Sequence, residues 1–272
     1  MNFKQICLIS SLCFSSFSAY AVDLCGKAMQ GEILIGHAPE TSTIKFNRLE
    51  ITPDSNGMFL LALERDQTPQ NTLITDTAYL DLEVGATKWD IQNIKGIPPR
   101  KVTPSDSDLA AIEKEQKLVR KAQKNQTSEP FWEKGFIIPV EGRTSGKFGG
   151  QRIMNGVKKN PHSGMDIAAP EGTAVKSSGD GIVTLAYPDL FYSGNVIVID
   201  HGYGLHTIYA HLKDIKVQRG DKVSQGDIIG TVGQTGRATG PHLHWGASAH
   251  GIKFNPTSLL DINTADEFCF TL

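Results

Sequence analysis

The sequence is short of charge excess, of long apolar runs and of cysteine. Its 27 Lys and Arg stand against 29 Asp and Glu, a formal net charge of −2. Nothing in that balance supplies the basic surface that nucleic-acid phosphates require. No stretch reaches 18 apolar residues, the length that a spanning helix needs. Only four cysteines are present, and Cys7 and Cys13 fall within the first 21 residues. Two motifs are absent as well. There is no H-E-x-x-H helix signature and no G-x-x-x-x-G-K-[ST] phosphate loop.

The first 21 residues have the pattern of a secretory signal. Lys4 gives a positive start, Ile6–Phe17 a short apolar run, and Ala19-Tyr20-Ala21 a small-x-small site with cutting expected before Val22. Cys13 lacks the small residues that precede a lipid-modified cysteine. The expectation is an exported chain without a membrane span, periplasmic or secreted. Its remaining thiols, Cys25 and Cys269, lie near the two ends. In an oxidising compartment they could form one disulfide, or stay free or pair between molecules. Closing so long a loop would stabilise the fold by roughly 4–5 kcal/mol in the chain-entropy picture.

What is abundant is glycine, 27 residues, which favours turns and β-structure. The segments GEILIG, STIKFNRLEI, MFLLALE and AYLDLEV are short and rich in β-branched and aromatic residues. PDSNG between the second and third predicts a hairpin turn, with Asn56-Gly57 accepting positive φ. TKWDIQNI adds a strand. The spacing predicts a small β-sandwich over residues 22–103, of immunoglobulin-like kind, with no catalytic constellation. A Pro-rich linker then leads to a helix predicted at about Ser107–Asn125, within a linker unit of 104–130. Ser105–Asp108 offers its N-cap chemistry, and Glu113 with Lys117 a favourable i,i+4 pair. Leu109, Ile112, Val119 and Ala122 form its partial apolar stripe.

From Phe131 the pattern is strand and glycine turn. FIIPVEG, AVKSSGDGIVTLAYP, SGNVIVIDHG, LHTIYAHL and DIIGTVG are the clearest strands. VQRGDKVSQGDIIGTVG shares the rhythm of lipoyl carrier domains but offers no exposed lysine at a hairpin tip, so it reads as scaffold. GQTGRATG reads as a flexible loop lining a cleft, with Arg237 available to an acidic group.

Chemistry concentrates between Pro161 and Trp245. In PHLHW, His242 and His244 sit at i and i+2. On a strand they share a face and Leu243 turns away. In PHSGMD, His162 and Asp166 lie four apart around Gly164 and can converge. His211 follows in YAHL. Two neutral imidazoles and a carboxylate suit a catalytic zinc, which takes three protein ligands and leaves the fourth position to water. Five candidates are present and spacing alone does not choose among them. His37, His201, His206 and His250 read singly as structural or surface residues.

PHSGMDIAAPEGTAV, IYAHL and TGPHLHW, with GRTSGKFGGQR before them, resemble the signature blocks of the lysostaphin/LytM-type zinc peptidases. That family cuts peptides in bacterial peptidoglycan, and the likeness covers about Phe136–Pro256. It implies a β-rich peptidase domain over 131–272 in a mainly β chain. It also implies zinc on His162, Asp166 and His244, with His211 and His242 beside the metal water as acid and base. The substrate expected is a peptidoglycan cross-link, of D-alanyl–diaminopimelate type. Some relatives act instead as non-catalytic regulators that activate cell-wall amidases. Such regulators usually lack several of these five residues, all of which are retained here.

Overall fold

The computed structural model describes residues 22–271 except 40, 41, 77 and 125, and leaves the side chains of 263–268 and 270 undescribed. The expected signal segment, 1–21, lies outside the described residues.

The N-terminal strands are β1 (Asp23–Cys25), β2 (Ile33–His37), β3 (Ile44–Phe46), β4 (Leu49–Ile51), β5 (Met58–Ala62), β6 (Gln70–Ile74) and β7 (Tyr79–Glu83). They build two four-stranded sheets, β4-β3-β6-β7 and a sheet in which β1-β2-β5 is completed by β21 (Cys269–Thr271) from the far end of the chain. Leu24, Leu34, Phe46, Phe59, Leu61 and Leu73 fill the space between them. This is the expected sandwich, and its order, β1-β2-β5 facing β4-β3-β6-β7 with every pairing antiparallel, is immunoglobulin-like. Cys25 faces Cys269 across the β1–β21 ladder, and the two form a disulfide.

The β1-β2-β5 sheet is covered on both faces. Leu34, Phe59 and Leu61 point into the sandwich, while Ile33, Ile35, Leu60 and Ala62 join the core of the following domain. Double burial explains why MFLLAL shows no polar alternation.

The PDSNG hairpin is corrected by the structure. STIKFNRLEI is not one strand: it folds back at Asn47, which takes a φ of 54°, a conformation asparagine tolerates. PDSNG then carries the chain from β4 to β5, which lie in different sheets. Its local chemistry is that of a tight turn, since the Asp54 carboxylate accepts N–H bonds from Asn56 and Met58, both 2.8 Å.

Three elements tie the halves together. Strand β8 (Ile91–Ile94), from TKWDIQNI, pairs in parallel with β10 (Gln151–Met154), which also pairs with β11 (Val157–Lys158). Helix α1 (Pro99–Val102) leads into α2 (Asp106–Ala122), which is capped by a reciprocal Ser105–Asp108 box. Ala122, Leu118 and Val119 of α2 pack on Val196, Val198, Ile208 and Ala210. Leu109, expected on that stripe, is 50% exposed.

The remaining strands are β9 (Arg143–Gly146), β12 (Met165–Ala168), β13 (Ala174–Lys176), β14 (Gly181–Leu190), β15 (Gly194–Asp200), β16 (Leu205–Ile215), β17 (Lys222–Val223), β18 (Ile228–Val232), β19 (His242–Ala249) and β20 (Ile252–Phe254). They form one ten-stranded sheet whose main path is β17-β14-β15-β16-β19-β12-β9. FIIPVEG is not one of its strands. It runs extended, with single bonds from Ile137 N–H to Ser178 and from Lys176 N–H to Pro139; Pro139 itself has no N–H to give a ladder. Tyr209, Leu243, Trp245 and Phe254 fill the core beneath the sheet. The opposite face carries helix α2 and the histidines.

Candidate metal centre

Three neighbouring strands hold the cluster. In the register of the sheet, His244 on β19 lies opposite Asp166 on β12 on one side and Ala210 on β16 on the other. Leu243 faces the core and is fully buried, so His242 and His244 share the other face, as period-two geometry demands. His162 enters from the loop before β12.

His211 reaches this face by a backbone irregularity. Tyr209 and Leu212 both point into the core, which strict alternation forbids. The pairing explains it: Asn195 sits opposite Leu212 and Ile197 opposite Tyr209, so β16 contains one extra residue. The bulge lies at Ala210–His211, and His211 takes a φ of 62°. Bulges of this kind re-aim a side chain, and a non-glycine residue there is strained. The imidazole of His211 thereby comes to rest 4.7 Å from that of His242 and 6.0 Å from that of His244, centroid to centroid.

At the centre, Asp166 Oδ1 is 2.9 Å from His162 Nε2 and 2.8 Å from His244 Nδ1, and those two nitrogens are 3.0 Å apart. His242 Nε2 stands further out, 3.9 Å from the same oxygen. The other ring nitrogens fix the tautomers. His162 Nδ1 donates to the Lys147 carbonyl at 3.0 Å, His211 Nδ1 to Thr235 at 2.8 Å, and His242 Nδ1 to Gly240 at 2.8 Å. A carbonyl only accepts, so each Nδ1 holds the hydrogen and each Nε2 is a lone pair. His162 therefore turns an acceptor toward a carboxylate oxygen and the His244 nitrogen. Such convergence of acceptors is what a cation would relieve, and the donor set of two imidazoles and one carboxylate fits a transition-metal ion.

Burial favours the neutral form of three of the imidazoles. Desolvation pushes His162 down to about 4 and His211 to about 3, and lowers His244. Burial also opposes the charge of Asp166, but its contacts with His162 and His244 outweigh that and hold it well below the ordinary carboxylate range. Neutral rings and an ionised carboxylate are the states that bind metal.

Sequence reading missed Arg152. Its Nη2 donates to Asp166 Oδ2 at 2.6 Å, leaving Oδ1 to face the histidines. Arg152 lies on β10, and its Nε points at Gln92 Oε1 of β8, 3.5 Å away. It falls inside the GRTSGKFGGQR block, but nothing local marks its partner. Two glycines matter for close approach. A Cβ on Gly146 would lie 2.7 Å from Asp166 Oδ2, and one on Gly164 would lie 2.4 Å from the Trp245 carbonyl and 2.8 Å from the His244 ring. Arg237 departs from expectation: its guanidinium stacks on Tyr192 at 4.1 Å and reaches the Lys101 carbonyl at 3.4 Å. His201 and His206 lie elsewhere and are fully buried.

A buried carboxylate and four imidazoles converging on one face of an antiparallel sheet define a candidate metal centre. Residues 160–256, a stretch that holds all five candidate residues, match the model of peptidase family M23. The DD-carboxypeptidase/endopeptidase Mpg of Neisseria meningitidis is 42% identical over 113 residues, 40% of this chain and 26% of that protein. The peptidoglycan DD-endopeptidase ShyA of Vibrio cholerae is 45% identical over 123 residues, 44% of this chain and 28% of that protein. The chain thus spans about a quarter of the length of these curated relatives. A Pseudomonas aeruginosa crystal structure assigned to peptidase M23 superposes with a TM-score of 0.63 over 87% of this chain and 96% of that one, at 24% identity. That likeness shows the fold.

Proposed function

We propose that this chain is a zinc endopeptidase that hydrolyses peptide cross-links of bacterial peptidoglycan, of the D-alanyl–diaminopimelate type. The observation that carries the reading is the convergence of His162 Nε2, His244 Nδ1 and Asp166 Oδ1 at 2.8–3.0 Å. These three atoms would hold the ion. Zinc there would supply Lewis acidity for the scissile carbonyl and acidify water. His211 and His242 do the proton work. Each has its hydrogen committed to a backbone carbonyl, so each offers Nε2 as a base to the reacting water. Once protonated, the same nitrogen can stabilise the oxyanion or donate to the leaving amine. The names of the curated relatives support peptidoglycan as substrate. The paired Cys25 and Cys269 support export to an oxidising compartment, periplasm or medium. Retention of all five residues favours catalysis over the regulatory role.

Digestion of diaminopimelate-type peptidoglycan by the purified chain, with products identified by mass spectrometry, tests this. Cross-linked dimers should give way to matching monomers, and a chelator or His211→Ala should abolish the conversion. Intact dimers with metal bound would overturn it. The whole chain is required, because Ile33, Ile35, Leu60 and Ala62 belong to the peptidase core.

A further inference from the structure

A cleft of about 850 Å³ runs between α2 and the sheet face that carries the metal centre. His244 stands in its lining, and so do three cations, Arg120, Lys124 and Lys253. Arg120 projects from the last turn of α2, Lys124 from the turn just beyond its C-cap, and Lys253 from β20. Among the described residues, none of the three has a carboxylate within ion-pair distance. The one acidic residue of the lining, Glu115, is already engaged, accepting the Phe191 N–H at 2.7 Å. Partial desolvation and the charge of Arg120 push the Lys253 ammonium down. The cleft is therefore a set of unmatched positive charges beside the reacting centre.

The cleft is also built rather than incidental. Gln123 Nε2 donates to Ser248 Oγ at 3.1 Å and ties the helix to β19. The helix is sealed to the sheet by Leu118, Val119 and Ala122. Further back along the helix, Glu115 holds it to the loop after β14 by accepting the Phe191 N–H.

We propose that the basic end of this cleft is a subsite for a substrate carboxylate, so that the enzyme selects acidic peptides over amidated ones. The proposal rests on the peptidase reading and adds a determinant of substrate choice. Register sets the scale. Lys253 pairs with Ser248, four positions along β19 from His244, which is about 13 Å at strand rise. An extended peptide spans that distance in about four residues. The recognised carboxylate therefore lies about that far from the scissile bond, in reach of the free carboxyl groups of a peptide stem.

The test is equilibrium binding, followed by fluorescence anisotropy, of a labelled synthetic stem tetrapeptide with free carboxyl groups. Its fully amidated counterpart is measured alongside, both on the chelator-treated whole chain. Binding without metal keeps this measurement independent of turnover, so failure of the peptidase reading and failure of the subsite are told apart. The native chain should bind the acidic peptide roughly five- to tenfold more tightly, a preference that fades in high salt. The Arg120→Gln, Lys253→Gln double variant should bind both peptides alike, with its affinity for the amidated one unchanged. An Arg120→Lys single variant should keep most of the preference. Equal affinity of the two peptides for the native chain would overturn the proposal. So would a preference undiminished in the double variant with an unchanged thermal melt.

Discussion

Two groups of buried histidines sit on the same sheet and differ in their partners. His201 and His206 lie at the junction of β15 and β16. The Asp180 carbonyl is 2.6 Å from His201 Nδ1, and the Thr207 hydroxyl is 2.7 Å from His201 Nε2. His206 Nδ1 donates to Gly204 at 3.1 Å, and its Nε2 lies 3.8 Å from Asp200 Oδ1. That carboxylate is held in turn by the Gly202 and Thr127 amides. Both rings serve packing and loop closure. In the metal centre one nitrogen of each of His162, His211 and His242 is likewise bonded to a carbonyl, but the other faces a shared point. A pKa lowered by burial is found in both groups, at His201 in one and at His162, His211 and His244 in the other. What separates a structural from a chemical histidine is whether its second nitrogen has been answered.

The largest expected effect breaks the metal group itself. Asp166→Ala or His244→Ala should lose bound metal and all peptide release, read by elemental analysis and product mass spectrometry on the same sample. His201→Gln should leave metal content untouched. Next, His211→Ala should retain stoichiometric metal while kcat falls by about 10²–10⁴. Metal loss in that variant would move His211 into the ligand set. Third, Arg152→Gln frees Asp166 Oδ2 and should weaken metal affinity about 10–100-fold, measured by chelator competition, with Arg152→Lys restoring part of it.

Acid separates the groups by stability. His201 is pushed by burial from its ordinary value to about 4, so the folded state holds it neutral while the unfolded chain takes up a proton near pH 6.5. Its contribution is whole above about pH 6.5 and is lost as pH falls toward about 4, at up to ~1.4 kcal/mol per pH unit. Urea melts of the metal-free chain should show a shallower decline for His201→Gln over that window. The smallest effect lies outside both groups: Ser105→Ala removes the α2 cap and should cost about 1 kcal/mol with no change in metal content.

Much of the site was legible in the sequence because it is local. The i,i+2 spacing of His242 and His244 is bound to share a face on a strand. Pro161 and Gly164 around His162 mark a loop that can bring it toward Asp166. His211 was recognisable by residue type but not by geometry: alternation in LHTIYAHL puts it on Tyr209's side, and only an inserted residue brings it back. Arg152 was illegible because its partner lies on β12 and its support on β8, neither of them next to it in sequence. In the N-terminal unit the strand segments and the sandwich were clear and the details of pairing were not. Asn47 divides one apolar run into a hairpin. The double-faced β2 and β5 carry no periodicity that would announce two cores. The edge strand β21 comes from the opposite end of the chain.

The most direct test is a crystal structure of the zinc-loaded chain with the ion located by anomalous scattering. The account predicts one ion on His162 Nε2, Asp166 Oδ1 and His244 Nδ1, with His211 and His242 near it but unligated and His201 and His206 unchanged. An ion bound by His211 or His242 in place of one of those three, or seated at His201 and His206, would contradict it.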